Sequence, residues 1–183
     1  TRAVFVRSPH AHAKIKSIDT KAAEAMPGVV AVLTGAQLAN DKIGNLICGW
    51  MIHSKDGSPM KMAAHPALAA SKVNHVGDAV AVVIADSYAE GRDAAEAVKV
   101  DYEVLPAVVD PRKARDKSAA QIHPDIPNNL IYDWHLGDAK AVDAAFAGAK
   151  HITKIDLVNN RLSPNPMEPR AALAEYDSGT EHL

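Results

Sequence analysis

KVNHVGDAVAVVIADSYAEGRDAAEAVKVDYEVLPAVVD, Lys72 to Asp110, sets a strand, an amphipathic helix and a second strand in one uninterrupted unit. The apolar run Val80 to Ala85 lies between Gly77-Asp78 and Asp86-Ser87, pairs that favour turns and so bound a strand. Ser87 occupies the N-cap position of a helix predicted over Tyr88 to Val98, and Ala94, Ala95, Ala97 and Val98 give that helix a face small enough to approach a sheet closely. Val100 to Leu105 then alternates as a strand until Pro106 limits it.

Upstream, Ala3 to Arg7 and Lys14 to Ile18 read as strands, joined through Ser8-Pro9-His10-Ala11-His12, where Pro9 forbids a continuous ladder. Asp19 or Thr20 caps a short helix from Lys21 to Met26, closed by Pro27-Gly28. Val29 to Leu33 reads as a buried strand, and Thr34 caps a turn of helix through Leu38. From Asn40 to Ala64 the periodicity fades into glycines and Pro59, which predicts a long excursion that carries contacts to something else. Lys72 to Val76 and Ala79 to Ala85 are strands. Downstream, a polar helix is expected over Arg112 to Lys117, strands over Leu130 to Leu136 and Ile152 to Val158, and a helix over Ala139 to Ala147 closed by Gly148. Pro164, Pro166 and Pro169 precede a last strand, Ala171 to Tyr176, and the turn Asp177-Ser178-Gly179. Strands and helices interleave without a regular βα beat, so the expected class is α+β.

Composition narrows the function. The 183 residues are 48% hydrophobic and 23% charged with a net charge of -2, which supplies no electrostatic reason to bind nucleic acid or an acidic membrane. One cysteine, Cys48, allows no intramolecular disulfide and no cysteine-held iron–sulfur cluster, so a reduced, cytoplasmic setting is expected. No apolar run is long enough for a membrane span. The chain opens inside a strand without an initiator Met and stops just after a turn, and it reads as a piece of a longer polypeptide. No dinucleotide fingerprint, P-loop or internal repeat is present.

Several blocks together resemble one family. VGDAVAVVIA (Val76 to Ala85) and VDYEVLPAVVD (Val100 to Asp110) are similar to paired blocks of the molybdenum hydroxylase large subunits: xanthine dehydrogenase, aldehyde oxidase and aerobic carbon monoxide dehydrogenase. FVRSPHAHAKIKSID (Phe5 to Asp19), PGVVAVLTG (Pro27 to Gly35) and LGDAKAVDAAFAGAKHI (Leu136 to Ile152) resemble further blocks of that family's α/β-hammerhead domain, in family order. LVNNRLSPNPMEPRAALAEYD (Leu157 to Asp177) resembles the start of the molybdenum-cofactor-binding domain that follows it. The resemblance implies a hammerhead domain with a mixed sheet and short helices over residues 1–150, and a truncated cofactor domain over 151–183. The carbon monoxide dehydrogenase subgroup matches the wording best.

For the whole subunit the resemblance implies a molybdenum-pterin cofactor, with copper in the carbon monoxide branch, and iron–sulfur clusters and FAD in partner subunits or domains. The partners it implies for these residues are the cofactor domain of the same parent chain and the iron–sulfur and flavoprotein subunits. The family's reactive residues have no counterpart here, and NLICGWM around Cys48 departs from the copper-ligating loop. Isolated, the chain is expected to be inactive. The alternative from another class is a free-standing interaction module that shares the fold.

The polar candidates fit this reading. His10 and His12 lie two apart on an extended segment, project to one face, and lack a nearby third ligand. His53, His65, His75 and His123 are scattered through loops and form no short metal signature. Ser8 with His10 or His12 is raw material for a hydrolase, but no acid partner and no nucleophile elbow accompany them. Glu168 and Arg170, at alternate positions, are expected to form a structural ion pair or buried anchor, and the functional alternative is that their segment shapes the cofactor-domain wall. Asp101 and Glu103 fall on the solvated face of a strand, Asp110 follows it, and Asn159-Asn160-Arg161 is either a contact with a neighbouring domain or a polar turn. No residue is therefore assigned a catalytic, cofactor-binding or metal-binding role. The apolar Leu46, Ile47, Trp50, Met51 and Met62 of the 40–64 excursion are expected to dock elsewhere in the parent protein.

Overall fold

The computed structural model describes residues 1–160 and 162–183, and these divide into two compact units, Thr1–Leu136 and Gly137–Leu183. The first unit is built on strand β5, Ala79–Ala85, which pairs antiparallel with β1 (Arg2–Arg7) on one side and β3 (Val29–Thr34) on the other. Its valine-rich sequence is covered on both faces, and Val80 and Val83 are fully buried. Burial of each such side chain contributes about 1.5–3 kcal/mol. A second sheet carries β2 (Ala13–Asp19) between β4 (Lys72–Val73) and β6 (Lys99–Val104), again antiparallel.

The helix α3, Tyr88–Ala97, starts where Ser87 predicts it. Ser87 accepts from the Glu90 amide at 3.3 Å while the Glu90 carboxylate accepts from the Ser87 amide at 3.0 Å, so the cap satisfies donors on both sides of the first turn. The small-residue face then lies on the β1–β5–β3 sheet, with Ala94 fully buried against Val32, Val83, Ala85 and Ala23. A Cβ on Gly91 would stand 2.8 Å from the Val4 Cγ2, so hydrogen alone fits between helix and strand. The second sheet packs Ala13, Val73 and Val80 with Ala69, and Val6, Ile18 and Val100 border both clusters. Two short helices, α1 (Lys21–Glu24) and α2 (Gly35–Asn40), flank β3.

Other expectations are revised. Lys72 to Val76 extends only through Val73, because the Asn74 amide turns to donate to the Asp78 carboxylate at 3.0 Å. β3 forms, but as an edge strand it buries Val32 and leaves Val30 exposed. The polar segment Arg112 to Lys117 makes a 3-10 turn over Pro111–Lys113, with no apolar stripe to bury and so no tertiary reason to continue. Leu130 to Leu136, Ile152 to Val158 and Ala171 to Tyr176 form no strand among the described residues. Alternation gives a segment a face for a sheet, but a strand exists only where a neighbour supplies the ladder. In the second unit α4, Ala139–Gly148, forms as its Asp138 cap predicts, with the side chain accepting from the Ala141 amide at 3.1 Å.

Between β6 and the end of the first unit, residues 106–136 run as a strap held by polar contacts. The His12 Nδ1 lies 2.7 Å from the Pro106 carbonyl oxygen, so that ring nitrogen carries the proton and donates. Lys72 donates through its ammonium to the Ile122 carbonyl. Asn129, in the left-handed region at φ 53, donates to the Ala114 and Ala120 carbonyls at 2.9 Å each and accepts from the Ile122 amide at 3.0 Å. Ile126 is buried beneath this network. Farther along, the Lys61 amide donates to the Ile131 carbonyl at 3.0 Å and the Lys55 amide to that of Asp133 at 2.8 Å, so the strap holds half of the 40–64 excursion.

Two outcomes follow from this packing. At Gly35 a Cβ would stand 2.5 Å from the Ala69 carbonyl oxygen and 2.6 Å from that of Leu68, main-chain atoms that have no rotamer to yield, whereas nothing lies within 4 Å of one at Gly44. Gly35→Ala is expected to lower unfolding stability by more than about 1 kcal/mol, and Gly44→Ala to stay within about 0.5 kcal/mol, in parallel urea titrations. His123 in the strap is held below the ordinary imidazole range, first by burial and then by Lys72 and His12, with Asp125 opposing. A lowered folded pKa means the unfolded chain binds the proton more readily, so the stabilising contribution is complete above the ordinary histidine pKa and is lost as pH falls. Protection factors of amides in residues 120–126, taken relative to the base-catalysed intrinsic exchange rate at each pH, should therefore fall on acidification toward pH ~5, and His123→Gln should flatten that dependence.

Candidate functional site

The connection between β1 and β2 holds the densest set of polar candidates, and its main chain explains their placement. Ser8 is buried and its amide donates to the Asp78 carbonyl at 2.8 Å, while its own carbonyl accepts from the Gly77 amide at 2.8 Å. The Ser8 hydroxyl accepts from the His10 amide at 3.0 Å and lies 3.2 Å from the His10 carbonyl. Burial holds the nearby Tyr102 phenol above its ordinary pKa, with the Ser8 hydroxyl opposing that rise. Ser8 therefore builds a turn, with its oxygen aimed at main chain and phenol rather than at an imidazole nitrogen.

The two histidines beside it part company. The His10 ring stands edge-on to Tyr102, centroids 5.0 Å apart, whereas the His12 ring is buried and committed to the Pro106 carbonyl. The hydrolase arrangement of Ser8 with either ring is not assembled. His65 and His75, ten apart in sequence, come together with ring centroids 6.5 Å apart, and the His75 Nδ1 lies 3.7 Å from the Asp78 carboxylate. Sequence spacing carried no signal for that pair, because the 40–64 excursion folds back to bring it about. Among the described residues no three His, Cys, Asp or Glu side chains converge on one point.

The carboxylates are occupied structurally. Glu103 pairs across the sheet with Lys14 at 3.1 Å, on an exposed face as alternation predicts. Asp110 accepts bidentately from the Arg112 guanidinium at 3.0 and 2.9 Å, which holds its carboxyl below the usual range. Asp133 meets Lys55 at 2.8 Å, with the same consequence for its carboxyl. Glu168 and Arg170 are both exposed, and no ion pair between them forms among the described residues, against the expectation of a paired or buried anchor. Neither finds a surrounding wall in this unit that would exclude water. Asn159 and Asn160 are likewise exposed, and Arg161 lies outside the described residues.

Two surfaces remain chemically distinctive. In the 40–64 excursion Ile47 is 93% and Trp50 76% exposed, beside exposed Ile43, Leu46, Met51 and Met62. Cys48, between them, donates through its thiol to the Trp50 carbonyl at 3.2 Å. Among the described residues it joins no group of three His, Cys, Asp or Glu side chains. In the unit Gly137–Leu183 every described residue is exposed, including Phe146, Leu157, Val158 and Leu173. A pterin needs several converging main-chain and side-chain donors in a water-poor cradle, and these exposed residues do not by themselves form one.

Comparison with known proteins gives two family matches in succession. The family model described as the a/b hammerhead domain of aldehyde oxidase and xanthine dehydrogenase matches residues 2–106, and a molybdopterin cofactor-binding domain model matches residues 122–183. The carbon monoxide dehydrogenase large chain of Afipia carboxidovorans is 36% identical over 94% of this chain and 22% of its own length. The nicotine 6-hydroxylase large subunit of Paenarthrobacter nicotinovorans is 35% identical over 99% of this chain and 21% of its own. Among solved structures, the reconstituted CO dehydrogenase from Oligotropha carboxidovorans superposes with a TM-score of 0.66 and 38% identity, covering 81% of this chain and 19% of that one. The chain thus spans about a fifth of the length of the curated relatives it matches. No helix among the described residues is long and apolar enough to cross a membrane. With the hammerhead model covering more than half of its residues and the fold agreeing with it, the chain belongs to the aldehyde oxidase and xanthine dehydrogenase family of molybdenum hydroxylases.

Proposed function

We propose that this chain is the scaffold portion of a large, molybdenum-cofactor-binding subunit that oxidises carbon monoxide, and that alone it is inactive. The observation that carries this reading is the order of the two matches, a hammerhead domain followed by cofactor-binding sequence, in a chain whose candidate polar groups are all occupied structurally or exposed. In the assembled enzyme the net reaction is carbon monoxide plus water to carbon dioxide, two protons and two electrons. Those electrons leave through iron–sulfur and flavin partners in the cytoplasm. Likeness to a carbon monoxide dehydrogenase over 94% of the chain supports the choice of substrate.

On this reading residues 1–150 supply the hammerhead and 151–183 begin the cofactor domain. The exposed apolar side chains around Ile47 and Trp50 are the part of the scaffold that packs on the cofactor domain of the parent chain. Exposed apolar groups of this kind contribute nothing to the isolated fold and gain their burial only on docking.

Assays of dye reduction by carbon monoxide should show activity for the full subunit assembled with its partners and none for this chain, which should also lack stoichiometric molybdenum. Turnover by the chain alone overturns the scaffold reading. Oxidation of a purine, an aldehyde or an N-heterocycle but not of carbon monoxide by the assembled enzyme overturns the substrate. The docking surface has its own check: Ile47→Asp is expected to leave the unfolding midpoint of this chain within about 0.5 kcal/mol while lowering the yield of molybdenum-loaded full subunit. In the unmodified chain, amides 47–51 should exchange hydrogen far faster than those of β5, and equal protection contradicts docking.

A further inference from the structure

The outer edge of β1 is the best-formed recognition surface on the first unit. Among the described residues β1 pairs only with β5, so alternate amide and carbonyl groups along Arg2–Arg7 face away from the sheet. A groove of about 450 Å3 runs beside them. Its wall on the strand side is Ala3, Val4, Phe5, Val6 and Arg7 without a gap, and its other wall is α3 with Tyr88, Arg92 and Glu96. Consecutive lining by both parities of a strand means that the groove meets the strand along its hydrogen-bonding edge, since a cleft over a sheet face touches every second residue.

The groove's chemistry narrows its occupant. Hydrogen-bonding capacity that is strand-shaped and otherwise unmet selects an extended main chain. Two guanidiniums line the groove against one carboxylate: Arg7, whose ends lie 2.9 Å from the Gly77 carbonyl and over the Phe5 ring, and Arg92, which sits 3.7 Å from Glu96. Arg2 adds a third positive charge at the start of the strand. A second copy of this chain is a poor fit, because an antiparallel pair centred between Val4 and Phe5 sets Arg2 opposite Arg7 in both halves, and like charges directly opposite are destabilising. The remaining edges differ: β3 carries no charged residue, the two-residue β4 has only Lys72, which is committed to the Ile122 carbonyl, and β6 presents Asp101 and Glu103 together with Lys99.

We propose that the open edge of β1 and the flank of α3 form a strand-accepting site for an extended, acidic segment of a partner polypeptide. The bound segment continues the β1–β5–β3 sheet, with its carboxylates at alternate positions on the α3 side meeting Arg92. Placing the charges on alternate residues lets the intervening apolar side chains lie against Phe5 on the opposite face.

The test uses isotope-labelled chain and a blocked peptide of alternating Glu and Val, with its Lys–Val counterpart and an acidic version N-methylated at alternate amides. Amide shifts along Ala3 to Arg7, saturating with the acidic peptide and at least roughly tenfold weaker with the basic one, are expected. Arg92→Glu should narrow or reverse that preference. Equal binding of both charges overturns the acidic selectivity, and unimpaired binding of the N-methylated peptide overturns strand addition. Shifts centred on β3, or no saturable binding at millimolar peptide, overturn the site itself. Because the peptide comparison is made on the unaltered chain, it decides the question even where Arg92→Glu folds poorly.

Discussion

Burial of β5 on both of its faces is the constraint from which the rest of the first unit follows. A strand that is apolar along its whole length has no solvent side, so one face needs a helix and the other needs a second packed layer. The chain meets the first need with α3, which follows β5 directly and presents Gly91 and Ala94 so that helix and sheet come close enough to exclude larger side chains. It meets the second with the β4–β2–β6 sheet, whose Ala13 and Val73 pack around Val80. Val6, Ile18 and Val100 border both clusters, so neither layer is complete without the other.

The strap obeys a different logic. Residues 106–136 fully bury only Ile126 among their apolar side chains, and their order comes from donors and acceptors spaced along the path: His12 at Pro106, Lys72 at Ile122, Asn129 at three main-chain groups. Such an arrangement is directional where a hydrophobic contact is not. It also fixes one half of the 40–64 excursion and leaves the half with Ile47 and Trp50 projecting, which is the division of labour a docking loop requires.

Family membership gives the open second unit its meaning. In Gly137–Leu183 the helix α4 stands with Val142 and Phe146 exposed, and the alternating Ile152 to Val158 has no ladder. Sequence of this kind carries the pattern of a packed element without the packing. A cofactor-binding model matches residues 122–183, and the carbon monoxide dehydrogenase large chain that this chain resembles is more than four times as long.

Much of the first unit was legible from local pattern. Ala79 to Ala85 as a strand, the Ser87 cap, the following helix and the Thr34 and Asp138 helix starts each depend on residues within a few positions of one another, and short-range sterics and capping decide them. The blocks around them were also enough to indicate the family. The alternating segments at 130–136, 152–158 and 171–176 misled, because periodicity describes one strand and a sheet needs two. Which edges stay open, why His12 is buried while His10 is not, and how His65 comes to face His75 were decided by tertiary structure alone. Each of those depends on chain segments far apart in sequence being brought together, and no local spacing encodes the partner that long-range packing supplies.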